Sequence, residues 1–180
     1  MELAFVPLRR ADFALLSRWL TAPLVSRWWA EPADLESIER EYGPRVDGTD
    51  LAPTWIVHLE GRPVAMIQWY RYSDEPEYLA EVGQFLPVPD NAVSIDYLIG
   101  AESAVGRGVG PAMIDQLVRL QWEREPDTGD AVVPVHADNR RSWRALEKAG
   151  FEHLTDAELD PDNPVDDRRH RIMVRRRPPR

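Results

Sequence analysis

Residues 95–114, IDYLIGAESAVGRGVGPAMI, place two chemically able features side by side. Gly106, Gly108 and Gly110 alternate with Arg107 and Val109 between a strand-like run and an apolar helix-like one. Alternating glycines let a backbone approach a ligand closely, and the start of a helix directs unpaired amides outward. The stretch therefore suits a phosphate or pyrophosphate, with Arg107 adding a positive charge. Upstream lies Asp96, a carboxylate among apolar neighbours, where it is costly without a partner. A carboxylate so placed can bind an ammonium group and accept its proton. Two familiar phosphate loops are excluded: the dinucleotide fingerprint G-x-G-x-x-G meets a proline at position 111, and the chain contains no G-K-[ST] triplet.

The elements that must carry these residues are readable from period and punctuation. Phe13, Leu16, Trp19 and Leu20 fall three and four apart, which predicts a helix over 10–20. A second helix is predicted over 34–42, capped by Asp34 and stopped by Gly43-Pro44. TWIVHL and PVAMIQWYRY, joined through Glu60-Gly61, read as an antiparallel hairpin. Residues 73–92, with Pro76, Pro87 and Pro89, read as a long irregular segment. Next come the strand AVSIDYLIG, the helix GPAMIDQLVRLQWERE with Pro111 in its first turn, and the strand AVVPVHA. The helix NRRSWRALEKAG, ended by Gly150, precedes a last strand, RIMV, whose arginine flanks are expected to be solvated. Alternation puts Ser94, Asp96 and Leu98 on one face of their strand and Val93, Ile95 and Tyr97 on the other. This order implies an α/β protein, a mixed sheet with helices on its faces. Trp19, Trp55, Trp122 and Trp143 belong to the core. Trp28 and Trp29 are adjacent between helices, so at least one should border a cavity or interface.

Composition narrows the chemistry. The 180 residues, 43% hydrophobic, suit one domain spanning 1–180. There is no cysteine, which excludes disulfides, thiolate metal sites and a cysteine nucleophile. His58, His136, His153 and His170 are scattered without ligand spacing, so no metal is expected. No apolar run approaches membrane-spanning length, and MELAFVPLRR meets arginine too soon for a signal peptide; a cytoplasmic protein is expected. The formal net charge is −9, yet seven of the 22 lysines and arginines fall in the last thirteen residues, which leaves 15 against all 31 acids in residues 1–167, a net of −16. Such a body repels nucleic acid and anionic membrane and attracts a small cationic molecule. The sequence leaves monomer or homodimer open.

GRGVG, followed by an apolar helix, a strand and NRRSWRALEKAGF, resembles the GNAT superfamily of acetyl-CoA-dependent N-acetyltransferases. VSIDYLIG, VSRWWAEP and WIVHLEGRPVAMIQWY extend the resemblance, over about residues 5–175, to the aminoglycoside 6′-N-acetyltransferases. The likeness implies a GNAT fold, with acetyl-CoA as co-substrate held at Val105, Gly106, Arg107, Gly108, Val109, Gly110 and Asn139. It also implies that Asp96 is the base beside the reacting amine, and that Trp28, Trp29, Tyr42, Gln68 and Asp167 contact the cationic antibiotic. Transfer would be direct, within a ternary complex. Two departures stand out: Leu146 occupies the place of the tyrosine that protonates the leaving thiolate in many relatives, and Pro134 stands near the place of an acid. Two other readings compete. One is a GNAT acting on a lysine-type amine in siderophore assembly, a branch that tends to carry histidine where Asp96 stands. The other is a silent domain that holds coenzyme A or a polyamine without turnover.

Overall fold

The three-and-four spacing of Phe13, Leu16, Trp19 and Leu20 does form a helix, α1 (Phe13–Leu20), in the computed structural model, which describes residues 1–161 and 163–179. Around it the chain runs β1 (Leu3–Pro7), α1, α2 (Pro23–Ser26), α3 (Leu35–Asp47), β2 (Thr54–Leu59), β3 (Arg62–Arg71) and α4 (Pro76–Val82). It continues as β4 (Val93–Ile99), α5 (Val109–Arg124), β5 (Ala131–His136), α6 (Arg140–Lys148), β6 (Glu152–Glu158) and β7 (Arg169–Arg175). The seven strands follow the order β1-β2-β3-β4-β5-β7-β6. Strands β4 and β5 are parallel, whereas the β1–β2, β2–β3, β5–β7 and β6–β7 pairs are antiparallel. This is the mixed α/β sheet that the element order implies. The chain divides into two compact units, Met1–Trp69 with Asp96–Val109, and Tyr70–Ile95 with Gly110–Arg180.

In the first unit, α1 and α3 meet the strands over a core that includes Leu16, Leu20, Ile38, Tyr42, Ile56, Met66 and Leu98. Each such aliphatic side chain, fully buried, contributes about 1.5–3 kcal/mol. Leu98 ties the strand that carries Asp96 into this core. Just beyond that strand the backbone runs against an aromatic ring: a Cβ on Gly100 would lie 1.9 Å from the Trp19 ring, so only glycine fits. The hairpin turns at Glu60-Gly61 as expected.

Two expectations fail in this unit. Strand β1 was not anticipated, because its five residues carry no turn signal of their own; pairing with β2 from Leu3↔Leu59 to Pro7↔Trp55 defines it. Nor does α3 stop at Gly43-Pro44. It is capped by Asp34, whose carboxylate accepts from the Ser37 amide at 2.9 Å, and then runs through Pro44 to a left-handed Gly48. Proline deprives the helix of one amide donor, but the turn that follows has other ties. The Pro44 carbonyl accepts from the Thr49 amide at 2.9 Å, and the Arg45 side chain is held on both sides by carboxylates.

The second unit packs Tyr72, Val82, Leu86, Ala92, Val132 and Ile172 into a core of its own. Here the expected irregular stretch 73–92 contains helix α4, begun by Pro76 and packed through Val82. Strand β6 was missed because only Ala157 of its residues is buried, which leaves no apolar alternation to read. Of the arginine flanks of β7, Arg168, Arg169 and Arg176 are exposed as expected, whereas Arg175 and Arg177 are not. Arg175 donates to Asp115 at 2.7 Å with its side chain 12% exposed. The Arg177 guanidinium donates to the carbonyls of Trp122, Glu125 and Thr128, closing the C-terminal end of α5. A helix leaves its last carbonyls without intrahelical donors, and a cation there also meets the negative end of the dipole.

Removing that guanidinium takes a donor from the Trp122 and Thr128 carbonyls, while the Glu125 carbonyl keeps the Thr128 amide and hydroxyl. Arg177→Ala should lower stability by about 1–3 kcal/mol, read as a lower urea midpoint with unchanged slope. An unaltered midpoint would show that the α5 end is satisfied without it.

Candidate active site

Asp96 is half-buried on β4, where its Oδ2 accepts from the Gln68 Nε2 amide at 2.8 Å. Gln68 stands on β3 opposite Thr54 and is 7% exposed. Its other end is engaged too: Gln68 Oε1 accepts from Arg45 Nη1 at 2.5 Å. Arg45 reaches it from the turn of α3 beyond Pro44, while its Nη2 donates to Glu41 at 2.6 Å and its Nε to Asp50 at 3.1 Å. Burial opposes the charge on Arg45, but the hydrogen bond to Asp50 and the negative charge of Glu41 outweigh it and hold its pKa above the ordinary guanidinium value. The guanidinium also lies 4.9 Å over the Tyr42 ring, within cation–π range.

Tyr42 begins a second buried pair. Its hydroxyl donates to Glu31 at 2.8 Å, and the ring is 0% exposed. Burial, with the Glu31 charge next, raises the phenol well above its usual range. Burial likewise pushes the Glu31 carboxyl up, against the pull of the Tyr42 hydroxyl. The resemblance put Tyr42 and Gln68 against the substrate. The structure buries Tyr42 completely, so its hydroxyl bears on Glu31 instead, and it occupies both ends of the Gln68 amide. Trp28 and Trp29 are both half-buried; Arg27 lies 4.1 Å over the Trp28 ring, and Trp29 packs against the core of the first unit.

The glycine loop belongs to the same unit as Asp96 up to Val109. Gly106 and Gly108 have φ of 76° and 79°, and a Cβ on either would meet nothing within 4 Å. Backbone conformation, not crowding, therefore requires glycine at both, and the space above them is open. Of the loop residues that the resemblance assigns to acetyl-CoA, Val105 and Arg107 have amides that bond within the loop, to the Glu102 and Ala104 carbonyls at 3.1 and 3.4 Å. Gly108 leads into α5, a helix of 16 residues, whose first-turn amides, at Val109 and Gly110 among others, lack intrahelical acceptors. Arg107 is exposed and Val109 buried.

Three more residues sit in the second unit. Asn139 caps α6, its side-chain oxygen accepting from the Ser142 amide at 3.2 Å. Asp167 is paired with Arg169, Oδ2 to Nε at 2.7 Å; the Arg169 amide and then its side chain hold the Asp167 carboxyl below the usual range. Leu146 is 0% exposed. Sequence reading missed Arg45, Glu41, Asp50 and Glu31. The signal for the first two was the i,i+4 pair Glu41–Arg45, hidden once the helix was taken to end at Pro44. Among the described residues, no group of three or more His, Asp or Glu side chains could hold a metal ion, and no helix is long and apolar enough to cross a membrane.

Residues 9–159 match the family described as acetyltransferase (GNAT) domain. The chain belongs to the GNAT acetyltransferase family. The aminoglycoside N(6′)-acetyltransferases type 1 of Klebsiella pneumoniae and of Serratia marcescens are each 28% identical to it over 159 residues, which is 86% of this chain and 75% of theirs. The crystal structure of the aminoglycoside acetyltransferase AAC(6′)-Ib in complex with coenzyme A and kanamycin matches 98% of this chain and 95% of its own, with a TM-score of 0.79 at 25% identity. The aminoglycoside N(6′)-acetyltransferase of Legionella pneumophila shares the fold at a TM-score of 0.70 and 19% identity.

The raised pKa of Glu31 has a definite sign in stability. A carboxyl whose folded pKa lies above its unfolded value is at no disadvantage while protonated, and its contribution is lost as pH rises through the folded value. Glu31→Gln, which keeps an acceptor for Tyr42, should therefore raise the melting temperature at pH 7. The gain should vanish near about pH 4, at the unfolded pKa. A variant less stable at pH 7 would show that the ionised carboxylate is favourable where it stands.

Proposed function

We propose that one catalytic domain, residues 1–180, transfers the acetyl group of acetyl-CoA to the 6′-amine of aminoglycoside antibiotics, and thereby confers resistance to them. The observation that carries this reading is the Asp96 carboxylate, set as a hydrogen-bond acceptor by a buried amide in the unit that also contains the glycine loop. The 28%-identical relatives of the same named activity, and the family structure bound to coenzyme A and kanamycin, support the choice of substrates.

The residues fit acetyl-CoA. The open, left-handed backbone at Gly106 and Gly108 and the first-turn amides of α5, Val109 and Gly110 included, would receive the pyrophosphate, and exposed Arg107 would add charge. Val105 shapes the loop, its own amide being engaged. Asn139 would act by fixing the start of α6. An aminoglycoside amine arrives largely as ammonium. Its proton passes to Asp96, and the neutral nitrogen attacks the acetyl carbonyl, forming the C–N bond. The oxyanion so formed is received by a strand amide. As the C–S bond breaks, the electron pair leaves on sulfur; the nitrogen, which still carries two hydrogens after its attack, gives one through water to the thiolate, since Leu146 offers none, and Asp96 returns its own proton to solvent. No acyl-enzyme is involved, there being no cysteine and no serine with an evident base. Trp28 and Trp29 would border the sugar rings. Asp167 would meet a cationic ring only by exchanging Arg169 for the substrate's ammonium groups. The charge of −16 over residues 1–167 steers polycations inward.

Purified protein mixed with acetyl-CoA should release free thiol when kanamycin is added and not when hydroxylysine is. Release with hydroxylysine alone would favour a lysine-type substrate, and none with any amine would favour a silent binder. Asp96→Asn should lower kcat by roughly 10²- to 10⁴-fold, the scale of a lost general base; near-normal turnover across pH would remove Asp96 from that role. Gly108→Ala forces a left-handed alanine at about 1–2 kcal/mol and should raise the KM for acetyl-CoA about tenfold with little change in that for kanamycin. Equal increases in both would indicate a general loss of structure.

A further inference from the structure

We propose that Arg45 is a positioning residue for acetyl transfer: through Gln68 it dictates which end of a buried amide faces Asp96. The inference rests on the reading of Asp96 as the group that accepts the amine's proton. Its structural basis is a continuous chain from α3 to β4, Arg45 Nη1 to Gln68 Oε1 at 2.5 Å and Gln68 Nε2 to Asp96 Oδ2 at 2.8 Å. Guanidinium has donors only, so the amide oxygen must face it, and the amide NH2 must then face the aspartate. A donor toward a carboxylate favours its ionised form, the form that can take a proton. Turned the other way, the amide would present lone pairs, and Asp96 could bond to it only as the protonated acid.

Two features make Arg45 suited to this. Its side chain is 12% exposed and Gln68 7%, so water competes poorly for either end of the amide. Glu41 and Asp50 hold the other guanidinium nitrogens, with Tyr42 beneath the plane and Glu31 behind the Tyr42 hydroxyl. The arginine's charge is thus absorbed by its own carboxylates, and its direction is set toward Gln68. A lysine, a single point donor, could not keep all three contacts. The residue after a helix-interior proline is an unexpected place for a role in catalysis, and the extra turn of α3 is what brings it within reach.

The test is a double-mutant cycle of Arg45→Met and Gln68→Leu, read by the pH profile of kcat/KM for kanamycin and by 13C NMR titration of the Asp96 carboxyl, with the melting curve as a folding control. Arg45→Met should move the acidic limb and the Asp96 titration to higher pH by about one unit and lower kcat roughly tenfold. In the Gln68→Leu background it should add almost nothing, because its path to Asp96 is already cut. Arg45→Lys should keep most of the limb position, and Arg45→Ala serves as the second disruptive variant if the methionine chain does not fold. Additive effects, or an Asp96 titration unmoved by Arg45→Met or Arg45→Ala in a folded chain, would overturn the proposal. The NMR arm needs no turnover: should no amine be acetylated, the assignment of Asp96 as base fails, while its titration still reports whether Arg45 acts on it.

Discussion

A half-buried carboxylate on a strand is costly unless something donates to it, and in this chain the side-chain amide of Gln68 is one such donor. Much of the first unit can be understood as what holds that amide in place. Strand β3 presents Gln68 opposite Thr54, α3 sends Arg45 to its oxygen, and Glu41 and Asp50 keep the arginine from turning elsewhere. Leu98, two residues beyond Asp96, is locked into the core with α1 and α3, and Gly100 admits the Trp19 ring directly against the backbone. Ordinary apolar packing thus fixes the positions, and one buried polar chain sets the chemistry. Such a chain is worth having only when each member is satisfied, since a lone buried amide or guanidinium costs more than it returns.

Most of the elements were legible because their signals are local. Three-and-four spacing in α1, the two-residue hairpin turn, Pro111 in the first turn of α5 and the glycine after α6 need no tertiary information. The misses are those where tertiary contacts overrule local rules. Pro44 reads as a stop, yet α3 continues because Arg45 has carboxylates waiting. Strand β6 lacks an apolar face and exists through its pairing with β7. Arg175 and Arg177 look like solvated charges, as their neighbours are, until the carboxylate of Asp115 and the end of α5 are brought to them.

The site divides along the same line. Asp96 and the glycines could be picked out from residue type and neighbours, because a carboxylate in an apolar strand and alternating glycines before a helix are unusual wherever they occur. The partners could not, because Gln68, Arg45 and Asp96 stand 23 and 28 residues apart and are joined only by the fold. Tyr42 shows the converse. Resemblance alone assigned it to a ligand, and its complete burial moves its influence to Glu31.

A crystal structure of the protein with coenzyme A and kanamycin both bound bears most directly on acetyl transfer by Asp96. The 6′-nitrogen should lie within hydrogen-bond reach, about 2.6–3.2 Å or one water away, of the Asp96 carboxylate, with the pyrophosphate on the backbone from Gly106 to Gly110 and Gln68 still donating to Asp96. A 6′-nitrogen far from that carboxylate, or a pyrophosphate away from the glycine loop, would contradict it.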